Sequence, residues 1–353
     1  MNTWLVTGGA GFIGSNFVRM ASGQGSARIV VLDALTYAGN MMNISDLVDA
    51  GQVEFVKGDI CDEALVSALF ASRRIDCVVH FAAESHVDRS ILGPRPFIRT
   101  NVEGTSVLLD AARAAWDGAQ GRRVFLHVST DEVFGSLGPD DPPFNEASPY
   151  RPSSPYAASK ASSDHMARAW AHTFGLPIIV SNCSNNYGPY QFPEKLIPLM
   201  ILNAVDGLAL PVYGDGLQVR DWLHVEDHCR ALLRILEEGR IGATYSIGGS
   251  CERTNLQVVR DICGAVDKAL GRPCGTTDRL IKLVQDRPGH DRRYAIDASA
   301  IRRELGWSSS HELQTALPAV VDWYLENRDW TEGVRSGEYR DYYLRQYGRH
   351  AAG

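Results

Sequence analysis

Ser129, Thr130, Asp131 and Glu132 stand in a row, and Tyr156 and Lys160 follow about two dozen residues later. A tyrosine and a lysine at i and i+4 share one helix face. An ammonium beside a phenol stabilises the phenolate and so is expected to lower its pKa from about 10. Such a tyrosine takes a proton from a sugar or alcohol hydroxyl while hydride leaves the carbon. Thr130 would orient the same hydroxyl. A simple dehydrogenase needs little more, so Asp131 and Glu132 are a surplus. Once a sugar C4 hydroxyl has become a ketone, its C5 proton is acidic. A carboxylate can remove that proton, and a carboxylic acid can protonate the C6 hydroxyl as it leaves. Neighbouring carboxyls in a closed site push their titrations apart, which supplies one of each, and they titrate as a unit. Spacing alone leaves a rival of equal weight, because Ser-Thr-Asp-Glu also reads as a capping box.

The elements that must position these groups begin with Gly8-Gly9-Ala10-Gly11-Phe12-Ile13-Gly14, set between an apolar run and a helix. Glycines at this spacing let the backbone turn tightly and approach a pyrophosphate, which then lies on the helix N-terminus. Asp33 ends the next apolar run, where a carboxylate takes ribose hydroxyls and repels a 2′-phosphate. NAD is therefore favoured over NADP. A turn cap would also account for Asp33, and a plain turn for Asp59, the other candidate acid on the adenosine side. Leu35, Thr36 and Ile60 adjoin these acids. Phe81-Ala82-Ala83 ends a further strand with small residues that let the cofactor pass. Ser85, Thr100, Ser129, Tyr156, Lys160 and Cys183 complete the expected cofactor set.

Apolar runs at 3–7, 28–33, 53–57, 77–81, 124–129 and 177–181 read as parallel strands. Helical patterns at 14–20, 101–115 and 157–173 alternate with them. The alternation predicts an α/β fold: a doubly wound parallel Rossmann sheet with a smaller α/β C-terminal lobe for the substrate. The expected division is 1–181 for the NAD domain, with 219–250 returning to it, and 182–218 plus 251–353 for the substrate lobe. Residues 185–193, rich in Asn, Tyr, Gly and Pro, read as a structured loop. Later helices are expected at 225–236, 256–270 and 313–326.

The chain has 353 residues, 44% hydrophobic and 22% charged, with a net charge of −7. That composition excludes disorder and gives no reason to expect nucleic-acid binding. Seven cysteines are scattered without a C-x-x-C pair, which reads as reduced thiols in a cytoplasmic enzyme and offers no metal site. No signal peptide is evident, and no stretch is long and apolar enough to span a membrane.

The Gly8–Gly14 turn, Ala82-Ala83-Glu84-Ser85-His86-Val87-Asp88-Arg89-Ser90, Ser129 to Gly135 and Tyr156-x-x-x-Lys160 together resemble extended short-chain dehydrogenase/reductases. More narrowly, they are similar to the dTDP-glucose 4,6-dehydratase family. So are Asn185 to Gln191, Pro193 to Leu196, Tyr213 to Gly216, Val219 to Trp222 and Asp286 to Asp291. The likeness runs from the first strand to about residue 330. It implies tightly held NAD and a closed cycle: C4 oxidation with Tyr156 as base, elimination with Glu132 at C5 and Asp131 at the C6 hydroxyl, then hydride return to C6. It also implies nucleotide-sugar contacts at Ser85, Ser90, Thr130, Asn185, Lys195, Leu196, Pro211, Tyr213, Arg220, Asn255, Arg287 and His290. Lys195, Arg220 and Arg287 suit a diphosphate, and Tyr213 can pack beside a base. A homodimer is implied through the helix of Tyr156 and the helix after Asn101, whose small residues Ala111, Ala112, Ala157, Ala158 and Ala161 suit close packing. Phe134 departs from the family, which often has Tyr there.

Three alternatives stay open. UDP-glucose could replace dTDP-glucose, since a thymine methyl is worth only about 1–3 kcal/mol in a pocket. A 4-epimerase or decarboxylase would share the NAD half without needing the acid pair. A non-catalytic NAD-binding scaffold would keep the turn without turnover.

Overall fold

β-branched and apolar runs bounded by glycine or charged turns form the strands of the large sheet. These are β1 (Asn2–Thr7), β2 (Ala27–Asp33), β3 (Val53–Lys57), β4 (Cys77–His80), β5 (Val124–Thr130) and β6 (Ile178–Cys183). The remaining strands are β7 (Asn185–Tyr187), β8 (Leu210–Tyr213), β9 (Val219–His224), β10 (Thr244–Ile247), β11 (Glu252–Thr254) and β12 (Ile281–Val284). The structure, a computed structural model, describes residues 2–25 and 27–335.

Seven strands make one parallel sheet in the order β10-β6-β5-β4-β1-β2-β3. Its central strands β4, β5 and β6 are buried on both faces, as helical crossovers require, and the edge strand β3 only partly. One face carries Phe17, Val18, Leu232 and Ile235, and the other Leu69, Leu108, Leu109 and Trp116. The chain runs outward from β1 to β3 and returns to β4 on the other side of β1. Thr7 therefore lies beside Leu32 on one side and His80 on the other. This reversal opens a crevice at the carboxyl ends of the strands, where α/β sheets bind ligands.

A second core joins the Leu196–Asp206, Asn255–Ala269 and Leu313–Glu326 helices through Met200, Ile201, Val258, Ile262, Leu317 and Val321. β9 pairs with β7 in parallel and with β11 antiparallel, while β8 pairs with β12.

The expected elements recur with ends displaced by a few residues, and four differences have physical reasons. Residues 185–193 are not all loop, because β7 pairs with β9; three residues are too few to show a period. The helix expected at 101–115 is Thr105–Trp116, preceded by a π-helical turn at Arg99–Gly104. The stretch 219–250 divides. The Val225–Glu238 helix and β10 join the large sheet's core, whereas β9 pairs in the small sheet. Within 251–353, the Ser299–Leu305 helix packs Ile301 and Leu305 into the large-sheet core instead of the small lobe. The 336–353 part of that lobe lies outside the described residues.

Candidate active site

The glycine turn and Asp33 form one hydrogen-bonded unit. Gly8 has φ +71°, and a Cβ there would lie 2.6 Å from the Ala82 amide nitrogen. A Cβ on Gly14 would collide with the Gly8 carbonyl oxygen. Asp33 accepts from the Ala10 amide at 2.9 Å and from the Leu35 amide at 2.8 Å, with Leu35 itself at φ 52°. Asp33 is thus a turn cap as well as a lining residue of the cleft. Each of its carboxylate oxygens has a second lone pair for a further donor. Burial pushes its carboxyl up, and the two amides oppose that.

A cleft of about 320 Å³ runs from this turn to the acid pair. It is lined by Gly8, Gly11, Phe12, Ile13, Gly14, Asp33, Thr36, Asp59 and Ile60 at one end. Phe81, Ala82, Ala83, Ser85, Thr100, Ser129 and Cys183 line its middle. Leu35 does not line it. Asp59 lines the cleft but also makes an Asx turn to the Cys61 amide at 2.9 Å and pairs with Arg99 at 3.0 Å. The glycines and alanines leave room for a dinucleotide backbone, and Ser129 Oγ is buried beside it without a hydrogen-bond partner. Residues and cradle therefore fit NAD.

At the far end, Thr130 ends β5 and caps the Asp131–Phe134 3₁₀ turn, its hydroxyl accepting from the Glu132 amide at 3.3 Å. The cap is real, but it is Thr130's. The reciprocal Ser129–Glu132 capping box does not form. Both carboxyls are left for the cleft, which they line with Thr130, Tyr156 and Lys160. Asp131 is 1% exposed and its Oδ2 has no partner. Burial, then Glu132 and Asp221, push the Asp131 carboxyl well above the usual range. Burial also pushes Glu132 up, but Lys195, Arg287 and Arg220 pull it back. Both carboxyls are thus raised, Asp131 with two further carboxylates against it and Glu132 with three cations in its favour.

Tyr156 corrects an expectation. Burial, then the Glu132 charge, push its phenol well above 10, and Lys160 does not offset them. Lys160 Nζ donates to the Val128 carbonyl at 3.0 Å. Burial holds the Lys160 ammonium below its usual pKa, with Asp164 opposing. The Thr130 hydroxyl hydrogen-bonds the phenol and favours the phenolate. Burial and the Glu132 charge therefore oppose the phenolate, and Thr130 favours it.

Beyond the acid pair the expected substrate residues fall into two groups. Asn185 and Lys195 line the cleft, with Lys195 Nζ donating to the Ser85 carbonyl at 3.0 Å. Arg220 lies 4.4 Å from the centre of the Tyr294 ring and donates to the Asp291 carbonyl. Arg287 pairs with Asp88 at 2.7 Å, and the Tyr213 hydroxyl donates to the same carboxylate at 3.1 Å. The His290 ring meets Tyr213 edge-on at 6.1 Å, and the buried Arg287 Nε has no hydrogen-bond partner. Arg220, Tyr213, Arg287 and His290 do not line the cleft proper, yet Arg220 and Arg287 act on Glu132. Ser90, Leu196, Pro211 and Asn255 do not line it either. Ser90 Oγ is turned onto the Val87 carbonyl at 2.6 Å, Leu196 opens a helix, Pro211 lies inside β8, and the Asn255 amide donates to the Gln218 carbonyl.

The family profile for GDP-mannose 4,6 dehydratase matches residues 5–319. The chain belongs to this family. A dTDP-glucose 4,6-dehydratase of Xanthomonas campestris pv. campestris (strain B100) is 55% identical over 345 residues, covering 96% of this chain and 98% of that one. DesIV, a dTDP-glucose 4,6-dehydratase from Streptomyces venezuelae solved with NAD and TYD bound, is 46% identical. It superposes with a TM-score of 0.86, covering 94% of this chain and 99% of its own. A UDP-glucose 4-epimerase from Thermotoga maritima superposes almost as well, at 0.82, but is 26% identical, covering 92% and 99%. Dehydratases and epimerases of this fold thus differ less in backbone than in sequence.

Several side chains around the site take partners that no local sequence signal reveals. Asp88 binds Tyr213 and Arg287 from 125 and 199 residues away. Glu194, which lines the cleft, pairs with Arg89 at 3.1 Å, and the Arg89 guanidinium lies 3.7 Å from the centre of the Tyr37 ring, so three distant segments meet there. Asn101, in the π turn, accepts from the Glu84 amide at 2.9 Å and donates to Ser159 at 2.8 Å. Phe134 stacks on Phe144 at 5.1 Å and meets Tyr150 edge-on, an aromatic setting without need of a hydroxyl.

Proposed function

We propose that the chain is a dTDP-glucose 4,6-dehydratase, converting dTDP-glucose to dTDP-4-keto-6-deoxyglucose and water in deoxysugar biosynthesis. The observation that carries this is the unequal acid pair, Asp131 and Glu132, on one turn beside Tyr156. A 4-epimerase has no use for it. Bound NAD supplies the acceptor and later the donor of hydride. Tyr156, hydrogen-bonded by Thr130, takes the C4 hydroxyl proton. Glu132, whose anion Lys195, Arg287 and Arg220 favour against burial, takes the C5 proton and returns it to C5 when the elimination product is reduced at C6. Asp131, held protonated by burial, gives its proton to the departing C6 hydroxyl. The same three cations balance the diphosphate of the substrate in a net-negative chain. Gly8, Gly14 and Asp33 hold the dinucleotide.

The likeness to DesIV supports the choice of base and of NAD. Incubation with dTDP-glucose and with UDP-glucose, each followed for the 4-keto product, tests the reading. Turnover of UDP-glucose alone would replace the base, and no product from either would leave a scaffold.

The same reading includes a homodimer through the Pro155–Phe174 and Thr105–Trp116 helices. Ala111, Ala112, Ala157 and Ala161 are buried within the protomer and serve internal packing, whereas Ala158 is exposed. Apolar side chains left outward near these helices are Ile91, Leu92, Ile98 and Phe174. Light scattering of the pure protein tests this. Among the described residues no helix is long and apolar enough to cross a membrane. Seven cysteines without a disulfide support a cytoplasmic setting.

A further inference from the structure

Beneath the reacting groups lies a buried polar cluster that the chemistry above does not use. Asp164 stands one turn after Lys160 on the Pro155–Phe174 helix and is fully buried. Its Oδ1 accepts from His127 Nε2 at 3.0 Å, which fixes the proton of that imidazole on Nε2. Its Oδ2 accepts from the Tyr150 hydroxyl at 2.6 Å and from Asn182 Nδ2 at 3.2 Å. Asn182 Nδ2 also reaches the Thr130 carbonyl at 3.1 Å, at the start of the acid turn. Lys160 grips Val128, the neighbour of His127 on β5.

The geometry points to Asp164 as a positioning residue for the proton-transfer site. It is a buried carboxylate that keeps Lys160 charged and ties the Lys160 helix to β5 and to the Thr130 turn. The inference rests on the dehydratase reading for its kinetic consequence, but not for its electrostatic one.

The groups facing Lys160 come from four elements: Asp164 on its own helix, His127 on β5, His80 on β4 and Cys183 on β6. Burial keeps both imidazoles neutral and pushes the Cys183 thiol up to about 12. Asp164 differs. Its hydrogen bonds to His127 and Tyr150 and the Lys160 charge outweigh burial and hold it ionised. Arg168, donating to the Tyr150 hydroxyl at 2.8 Å, adds a cation on the outer side. A buried ammonium with no compensating anion gives up its proton far below its usual pKa. Asp164 supplies that anion without touching substrate or cofactor.

The chain has five lysines, Lys57, Lys160, Lys195, Lys268 and Lys282. NMR of ε-13C-lysine holoenzyme, with Lys160 assigned from Lys160→Arg, therefore reads the ammonium directly and needs no substrate. In Asp164→Asn the Lys160 midpoint is expected to fall by about one pH unit or more, the scale of losing a nearby buried charge. In Asp164→Glu, which keeps the charge, the midpoint stays. With dTDP-glucose, the alkaline limb of C4 oxidation moves down in parallel while KM is unchanged. An unmoved Lys160 midpoint in Asp164→Asn overturns the proposal, whatever the substrate is. If that variant does not fold, a midpoint in Asp164→Glu that drops as far overturns it, and an unmoved one supports it. Absence of turnover in the wild type would fall on the dehydratase reading alone.

Discussion

The Thr130 hydroxyl oxygen lies 3.3 Å from Asp131 Oδ1, while Oδ2 of the same carboxyl is buried with no partner. Oδ2 is therefore the oxygen left to carry an acid's proton. Asp131→Asn keeps the shape and removes the acid. The variant is expected to oxidise C4 and accumulate NADH, but to eliminate water about 10²–10⁴-fold more slowly. Stopped-flow absorbance of NADH beside quenched-flow product resolves the two steps. A normal rate of product would remove Asp131 from the acid role.

Glu132 must be ionised to take the C5 proton, yet burial raises its pKa. Activity therefore falls as pH drops through that raised value. Arg287 is one of the cations that restrain the rise, so Arg287→Gln moves the acid limb of kcat/KM to higher pH. It also weakens nucleotide-sugar binding by about 1.5–3 kcal/mol, the worth of a charged hydrogen bond, which is roughly 10- to 150-fold in KM. Arg287→Lys keeps the charge and should hold the acid limb while losing part of the affinity. Profiles of kcat/KM against pH for the three proteins check this.

Gly8 tests the cofactor cradle. Alanine there meets Ala82 at 2.6 Å and must adopt φ +71°. The expected cost is about 1–3 kcal/mol of backbone strain. The variant should purify with less bound NAD and melt at a lower temperature. Equal NAD content by absorbance after denaturation would mean that the turn is only a turn.

How much of this was legible in the sequence follows from where each constraint comes from. Gly8, Gly14 and Asp33 were legible because a tight turn, a close approach and a strand end each leave a local mark. Tyr156 and Lys160 were legible from helical spacing. The direction of the Tyr156 shift was not, since spacing shows the neighbouring lysine but not the burial or the Glu132 charge that outweigh it. The pairings of Asp88, Glu194 and Asp164 were silent because their partners lie far off in sequence or on other strands. β7 was silent because three residues show no alternation, and the Asn101 turn because π and α geometry share a composition.

Asp227 carries the His311 and Ser310 amides at 2.9 and 2.8 Å and binds the His311 ring, pinning residues 310–311 to the Val225–Glu238 helix. Burial alone would raise its carboxyl, but these donors, with Arg230, bring it down to about 2 from 3.8. A depressed carboxyl stabilises the fold above its unfolded pKa, and that contribution is lost as pH falls through the folded one. The wild type should therefore exceed Asp227→Asn in melting temperature at neutral pH. The gap should begin to close near pH 4 and vanish towards pH 2. Calorimetry of both proteins across that range decides it: a gap that stays constant with pH would assign the loss to the missing amide acceptors and not to the charge.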